Sequence, residues 1–268
     1  MSTIQSNAAR SNYRWKICAL LFFATTINYL DRQVLSLTWK DYLVPEFHWT
    51  DSDYGTITAL FSIFYAISML FAGRFVDWMD TKKGFLWAIG IWSAGACIHA
   101  LCGIGTSGIL TGKWFVGFEG AKEALSIFDK AAVITSTSVS LFIFARFILA
   151  VGEAGNFPAA IKTTAEYFPK KDRALATSIF NAGATVGAMS APLTIPFIAK
   201  AYGWEMSFMI IGAVGFVWMF AEVLCLLARA KKTPGRFPAY APQVFWVFVY
   251  SVVGGLNCFI ALQGIPLF

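Results

Sequence analysis

The chain has 268 residues, of which 57% are hydrophobic, 17% aromatic and 13% charged. Soluble domains carry roughly 25% charged residues, so this composition excludes an ordinary water-soluble protein and indicates an integral membrane protein. The formal net charge of +6 would fit an anionic partner such as nucleic acid, but the positions of the basic residues explain it as a topology signal beside anionic lipid. No nucleic-acid partner is expected.

Six apolar segments follow a polar tail at residues 1–14, and each is long enough to cross a bilayer as a helix. They run from Trp15 to about Thr38, Tyr54 to Val76, Phe85 to about Gly105, Ser138 to Ala165, Ala174 to about Ala199, and Trp204 to Ala228. We therefore predict an all-α integral membrane protein with a six-helix bundle over residues 15–228. A basic linker at 229–243 and a possible seventh transmembrane helix at 244–265 follow.

Residues 106–137 interrupt this pattern because they mix short apolar patches with many charged side chains. We predict a long extracytoplasmic loop that contains a short surface helix. With this arrangement fourteen basic residues lie on one side of the membrane, five on the other and two inside it, which accounts for all 21. Because cytoplasmic loops carry the excess of Lys and Arg, the N-terminus is predicted to be cytoplasmic.

The fourth span contains ionisable residues, Arg146, Glu153 and Lys162, in the apolar stretch from Phe144 to Pro169. A charged side chain at the centre of a membrane helix costs about 2.5–3.5 kcal/mol even on insertion scales. Arg146 and Glu153 share one face of the helix and are separated by about 10.5 Å along its axis. A helix with such charges must turn them toward protein or water, so we predict a pore-lining helix.

The first span carries the run Asn28-Tyr29-Leu30-Asp31-Arg32, for which two interpretations remain open. In one, Asp31 and Arg32 form an ion pair near the outer end of the helix and extend toward the interface. In the other, Arg32 binds an anion beside a titratable Asp31. Acidic residues on two pore helices, each near an arginine, are suited to binding and releasing protons.

The turn between the second and third spans has the form G-x-x-x-D-x-x-D-x-K-K-G, with Gly73, Asp77, Lys82, Lys83 and Gly84 at its defined positions. It resembles the loop signature of the major facilitator superfamily, in which this turn latches the cytoplasmic side. Two positions depart from that signature: Trp78 replaces the usual basic residue and Asp80 replaces the usual glycine.

The run RFILAVGEAGNFPAAIKTTAEYFPKKDRALATSIFNAGATVGAMSAP resembles the fourth and fifth helices of the anion:cation symporter family within that superfamily, and NYLDR in the first span fits the same family. The hexuronate transporters of the family share the pattern P-A-x-x-K-x-x-x-E-x-F-P. The resemblance implies the N-terminal half of a two-half inner-membrane transporter, with the C-terminal half in cis. It also implies symport of protons with sugar acids, such as glucuronate or galacturonate, by alternating access.

The resemblance further implies roles for individual residues. Asp31 and Glu153 would be the proton-coupling carboxylates, with Arg146 holding or releasing Glu153. The residues expected to bind substrate are Arg32, as the clamp for its carboxylate, together with Tyr29, Tyr65, Asn181 and Lys162. For Lys162 a second interpretation stays open, in which it pairs with Glu166 one helical turn away.

No catalytic constellation occurs in the sequence, so an enzyme is not expected, nor is a cofactor or a metal site. The G-x-G-x-x-G run at 103–108 leaves a membrane helix rather than a strand, which argues against a dinucleotide site. The alternative to a symporter is a truncated, non-transporting membrane protein, such as a scaffold, a sensor or an inactive fragment that keeps half of the transporter fold.

Overall fold

A computed structural model describes the backbone of residues 2–232 and the side chains of residues 13–220. Over this part of the chain the elements are α1 (Ser2–Thr38), a π-helical turn (Trp39–Leu43), α2 (Val44–Phe47), α3 (Asp51–Met79), α4 (Thr81–Thr111), α5 (Gly117–Ser126), α6 (Ala131–Ala154), α7 (Asn156–Tyr167), α8 (Lys170–Tyr202) and α9 (Trp204–Lys232). The possible seventh helix at 244–265, and the predicted linker beyond residue 232, lie outside the described residues.

The prediction of an all-α membrane fold is confirmed, because the described backbone contains helices and no strand. Within the described residues, four helical stretches are long and apolar enough to cross a membrane, namely Asp51–Met79, Thr81–Thr111, Ala131–Tyr167 and Lys170–Tyr202. The segment predicted as a long loop is more helical than expected. α4 continues into it as far as Thr111, the ten-residue α5 lies in its middle, and α6 already begins at Ala131.

Glycines bring the helices together in two close pairs. Gly183 and Gly187 of α8 lie directly against the carbonyl oxygens of Phe22 and Thr26 in α1. Gly152 of α6 lies against the backbone of α4 in the same manner. A side chain at any of these positions would collide with backbone atoms, so small residues are needed for the close approach of the helices. The pairs α1/α8 and α4/α6 therefore form the frame of the bundle.

At one end of the bundle, α2 and α5 pack beside the start of α9. Lys122 of α5 forms an ion pair with Glu205 of α9 at 3.0 Å, and Trp204 Nε1 donates a hydrogen bond to Glu46 Oε2 of α2 at 2.7 Å. The second oxygen of Glu46 is buried without a hydrogen-bond partner. Burial and the negative charge of Glu205 raise the pKa of Glu46 from 4.5 to about 7, although the Trp204 hydrogen bond and the Lys122 charge oppose this.

We expect Gly187→Ala to lower the stability of the protein, since the new Cβ would meet the Thr26 carbonyl oxygen and force α8 away from α1. Overpacking of this kind typically costs about 1–3 kcal/mol. Gly55→Ala in α3 is the matched control, because nothing lies within 4 Å of its added Cβ and alanine favours a helix over glycine by about 1 kcal/mol. Thermal unfolding in detergent should move in opposite directions for the two variants; equal shifts would contradict the packing argument.

The folded protein should become less stable relative to Glu46→Gln as the pH rises from about 4.5 to about 7. In this window the unfolded chain releases the Glu46 proton while the folded protein retains it, so deprotonation favours unfolding. The difference is on the order of 3 kcal/mol. Unfolding temperatures measured across this pH range test the effect, with Glu123→Gln on the exposed side of α5 as the control. Parallel pH profiles for wild type and Glu46→Gln would refute it.

Candidate functional site

The central polar residues of α1 lie on its buried face, although Arg32 is partly accessible. Asn28 is 0% and Asp31 1% exposed, and none of their side-chain oxygen and nitrogen atoms has a hydrogen-bond partner. They are separated by about one helical turn, so both side chains point to the same side of the helix. Polar groups that are buried without partners are uncommon in folded proteins, which makes this face of α1 a candidate for binding something other than the chain itself.

The fourth predicted span is not a continuous helix, because it breaks at Gly155 between α6 and α7. Pro158 has no N–H group and cannot donate to the carbonyl oxygen one turn earlier, which explains a break at this point. Glu153 lies immediately before the break and is 0% exposed, and Asn156 just after it is 1% exposed. Both side-chain polar atoms of Asn156 lack a partner. The sequence analysis missed Asn156 and the break, although Gly155 and Pro158 in an apolar run are the signal for one.

Arg32 connects α1 to the end of α6. Its Nε donates a hydrogen bond to Glu153 Oε2 at 2.6 Å, and the Glu153 side chain is completely buried while that of Arg32 is 20% exposed. The expectation that Arg146 would be the counter-ion of Glu153 is therefore not met in this structure. The reason is geometric: residues two turns apart on one helix are too distant for a direct bond, whereas Arg32 reaches Glu153 from another helix.

Arg146 instead points toward α3. It is 4% exposed, and among the described side chains no carboxylate oxygen lies within the 4.0 Å of an ion pair. Its Cζ atom lies 5.1 Å from the ring centre of Phe61. The charges of Asp31 and Glu153 act on Arg146 at longer range. Sequence analysis did not single out Phe61, and its position one turn before Tyr65 is the available signal.

Aromatic rings surround the Arg32 guanidinium. Its Cζ atom lies 4.4 Å from the ring centre of Tyr65, 5.1 Å from that of Tyr29 and 5.8 Å from that of Phe61. Each of these separations is within the range of a cation–π contact. Tyr29 and Tyr65, which the sequence predicts as substrate contacts, are thus brought to the same guanidinium. This arrangement holds Arg32 in place, and its side chain stays 20% exposed.

The other predicted substrate residues lie apart from this group. Asn181 is on an exposed face of α8. Lys162 donates to Asp77 Oδ1 at 2.6 Å, and Glu166 accepts a hydrogen bond from Thr81 Oγ1 at 2.5 Å. Lys162 is therefore paired with the turn between α3 and α4, neither with Glu166 nor with the Arg32 group.

The segment from Gly73 to Gly84 is closely packed at one of its two glycines. A Cβ atom added to Gly84 would lie 3.0 Å from the backbone of Val76, whereas a Cβ atom added to Gly73 would have nothing within 4 Å. Lys82 and Lys83 lie in the first turn of α4, where Lys82 Nζ is 5.8 Å from the ring centre of Tyr167. Asp80, which replaces the usual glycine of the signature, has a φ of 74°, a value that non-glycine residues seldom adopt.

The buried group of Asp31, Arg32, Arg146 and Glu153 contains the guanidinium fork of Arg32, a second guanidinium without an ion pair and two buried carboxylates. A fork of this kind fits a carboxylate with two parallel hydrogen bonds, and the carboxylates can take up protons. Among the described residues no group of three or more His, Cys, Asp or Glu side chains could hold a metal ion.

The sequence matches the profile described as Major Facilitator Superfamily over residues 21–268. The Hexuronate transporter of Escherichia coli (strain K12) is 28% identical over 211 residues, which are 79% of this chain and 41% of that protein. The Galacturonate transporter of Dickeya chrysanthemi is 28% identical over 205 residues, 76% of this chain and 49% of that protein. The Probable galactarate/D-glucarate transporter GarP of Escherichia coli (strain K12) is 26% identical over 218 residues, 81% of this chain and 42% of that protein.

These matches confirm the resemblance seen in the fourth and fifth predicted spans. The chain spans less than half of the length of these relatives, and the matched part is their N-terminal half.

Asp80→Gly should stabilise the protein, because the left-handed φ of Asp80 is unfavourable for a side chain and free of cost for glycine. Residues in sparsely populated backbone regions cost about 1–3 kcal/mol each. The unfolding temperature in detergent is the measurement. Asp80→Ala is the control, since it removes the same carboxylate but keeps the Cβ. An equal gain for Ala and Gly would show that charge, and not backbone strain, is responsible.

Proposed function

The chain belongs to the major facilitator superfamily, and we propose that it forms the N-terminal half of a proton-coupled symporter for sugar acids, hexuronates above all, which works by alternating access. Such transporters bind their substrate near the middle of the membrane between two halves. The proposal for the substrate draws on the names of the relatives, and the proposal for the coupling draws on the buried ion pair.

The observation that carries the coupling is the hydrogen bond of 2.6 Å from Arg32 Nε to Glu153 Oε2. While Glu153 is charged, it occupies part of the guanidinium that a substrate carboxylate would need. A proton on Glu153 removes its negative charge and frees Arg32, which can then bind the carboxylate of the substrate. Proton binding and substrate binding thus favour one another, and this coupling is reciprocal by thermodynamic necessity.

Asp31 is the second proton carrier of this proposal. Neither of its oxygens has a hydrogen-bond partner, although it is adjacent in sequence to Arg32 and acts electrostatically on Arg146. A buried carboxylate without a partner is costly while it is charged, so it is suited to exist in a protonated form during part of the cycle. Protons on both carboxylates would leave two guanidinium groups available to an anionic substrate.

Three further side chains provide the neutral contacts of the proposed site. Tyr29 and Tyr65 carry hydroxyl groups next to the Arg32 guanidinium, where they could contact the hydroxyls of a sugar acid. Asn181 lies on the exposed face of α8, and we propose that this face lines the cavity toward the C-terminal half. Lys162 is reassigned to the latch at the α3–α4 turn, because it pairs with Asp77.

The proposed topology places the N-terminus and the α3–α4 turn in the cytoplasm of a bacterial cell, with the inner membrane as the location. The basic residues support this orientation, since Lys82, Lys83 and the segment from Lys170 to Arg173 then lie on the cytoplasmic side. The C-terminal half is expected in cis, and α2 and α5 would face the outside.

Cells that express the full-length coding sequence should accumulate labelled glucuronate or galacturonate and alkalinise a weakly buffered medium. Asp31→Asn and Glu153→Gln should lower accumulation at least tenfold. They should preserve substrate exchange across the membrane, because exchange needs binding and not proton release. Arg32→Ala should weaken the binding of sugar acids far more than the binding of neutral sugars, since it removes the partner of the substrate carboxylate.

Glu119→Gln is the control for these variants, because its carboxylate is exposed near the α2/α5 end, away from the buried group. Uptake that is independent of the proton gradient would refute the coupling. A complete lack of sugar-acid uptake and exchange in the wild type would refute the transporter assignment and favour the non-transporting alternative.

A further inference from the structure

Phe61 of α3 is in contact with both buried guanidinium groups. Its ring centre lies 5.1 Å from Arg146 Cζ and 5.8 Å from Arg32 Cζ. One turn later Tyr65 stacks on it with a centroid distance of 6.2 Å and an interplanar angle of 22°. The ring is partly buried beside the apolar cluster that includes Leu149. Two positively charged guanidinium groups thus contact the same uncharged side chain.

In the described part of the chain the Phe61 ring lies against Arg146, while the titratable groups that interact with Arg146 electrostatically are Asp31, Arg32, Glu153, Tyr54 and His99. The Arg146 side chain is 4% exposed, its Nε has no hydrogen-bond partner, and Glu153 is bonded to Arg32. A guanidinium that is removed from water needs favourable contacts. The negative face of an aromatic ring attracts a cation, and the attraction increases when water is excluded.

This contact has a consequence for the two carboxylates. Both oxygens of Asp31 and Oε1 of Glu153 remain without partners, although an unpaired Arg146 is near enough to act on both electrostatically. Hydrogen bonds from Arg146 would favour the charged form of either carboxylate and oppose its protonation. A neutral ring that holds Arg146 leaves these oxygens open to protons.

We infer that Phe61 is a positioning residue that holds Arg146 away from Asp31 and Glu153 and thereby sets the pH range in which these carboxylates bind protons. The inference rests on the proposed function in taking the two carboxylates as the proton carriers. Phe61 itself exchanges no proton and needs no contact with the substrate. The Phe61 ring takes the place of a counter-ion beside Arg146, so neither Asp31 nor Glu153 needs to form an ion pair with Arg146.

Phe61→Leu removes the ring and keeps an apolar side chain, so Arg146 is free to bond with Asp31 or Glu153. Protonation of the carboxylates should then require a more acidic medium, by about 1 pH unit or more. Phe61→Trp retains an aromatic face and should remain close to the wild type. Phe64→Leu is the matched control on the same helix, because the Phe64 ring packs on Phe147 at 5.2 Å and is not among the described rings that lie over Arg32 or Arg146.

Infrared difference spectroscopy of the purified full-length protein measures the proton occupancy directly through the C=O band of protonated carboxyl groups. Asp31→Asn and Glu153→Gln assign this band, and the protein is titrated in wild-type, Phe61→Leu, Phe61→Trp and Phe64→Leu forms. An acidic shift of the midpoint in Phe61→Leu alone supports the inference.

The same midpoint in Phe61→Leu and Phe64→Leu, or a shift toward alkaline pH in Phe61→Leu, overturns it. The titration does not depend on transport. A wild type that fails to take up sugar acids therefore refutes the proposed function separately and does not affect the result for Phe61.

Discussion

The ion pair between Arg32 and Glu153 is the interaction on which the rest of the site depends. The two close helix pairs, α1/α8 and α4/α6, are each joined by glycines that permit backbone contact, and this hydrogen bond of 2.6 Å links a residue of the first pair to a residue of the second. Because both side chains are largely removed from water, loss of either partner would leave a buried charge without compensation. In the proposed cycle, protonation of Glu153 or a competing anion would open this link.

The ion pair lies beside the helix break at Gly155. Glu153 lies just before this break and Asn156 just after it, and both side chains are buried inside the bundle. Asn28 and Asn156 add further unpartnered amide groups to the surroundings of Asp31 and Glu153. The bundle is therefore polar at its centre, and the Phe61 ring lies against both arginines there.

The two ends of the bundle hold charges of another kind. Lys162 and Asp77 meet at the α3–α4 turn with substantial exposure of the carboxylate, 70% for its side chain, so water screens the attraction and the pair contributes little to stability. At the α2/α5 end Glu46 is largely removed from water, which raises its pKa to about 7. The end charges thus form contacts between helices near water, whereas the central charges are the ones that we propose to exchange with a ligand or a proton.

The class of the protein can be read from its amino-acid sequence. Its apolar segments, its few charges and the motifs from Gly73 to Gly84 and from Arg146 to Pro192 lead to the membrane fold and to the superfamily. The sequence also indicated the charged members of the buried site, because a charge in an apolar segment requires a partner, but not Asn156 or Phe61. Which side chain pairs with which became clear only from the fold. The helix period could not show that Glu153 bonds to Arg32 rather than to Arg146, that Phe61 contacts both arginines, or that Lys162 belongs to the turn with Asp77. These choices depend on the distances between helices. The distances follow from the close contacts of Gly152, Gly183 and Gly187 with the backbone of neighbouring helices, and the spacing of small residues on one helix does not reveal which helix packs against them.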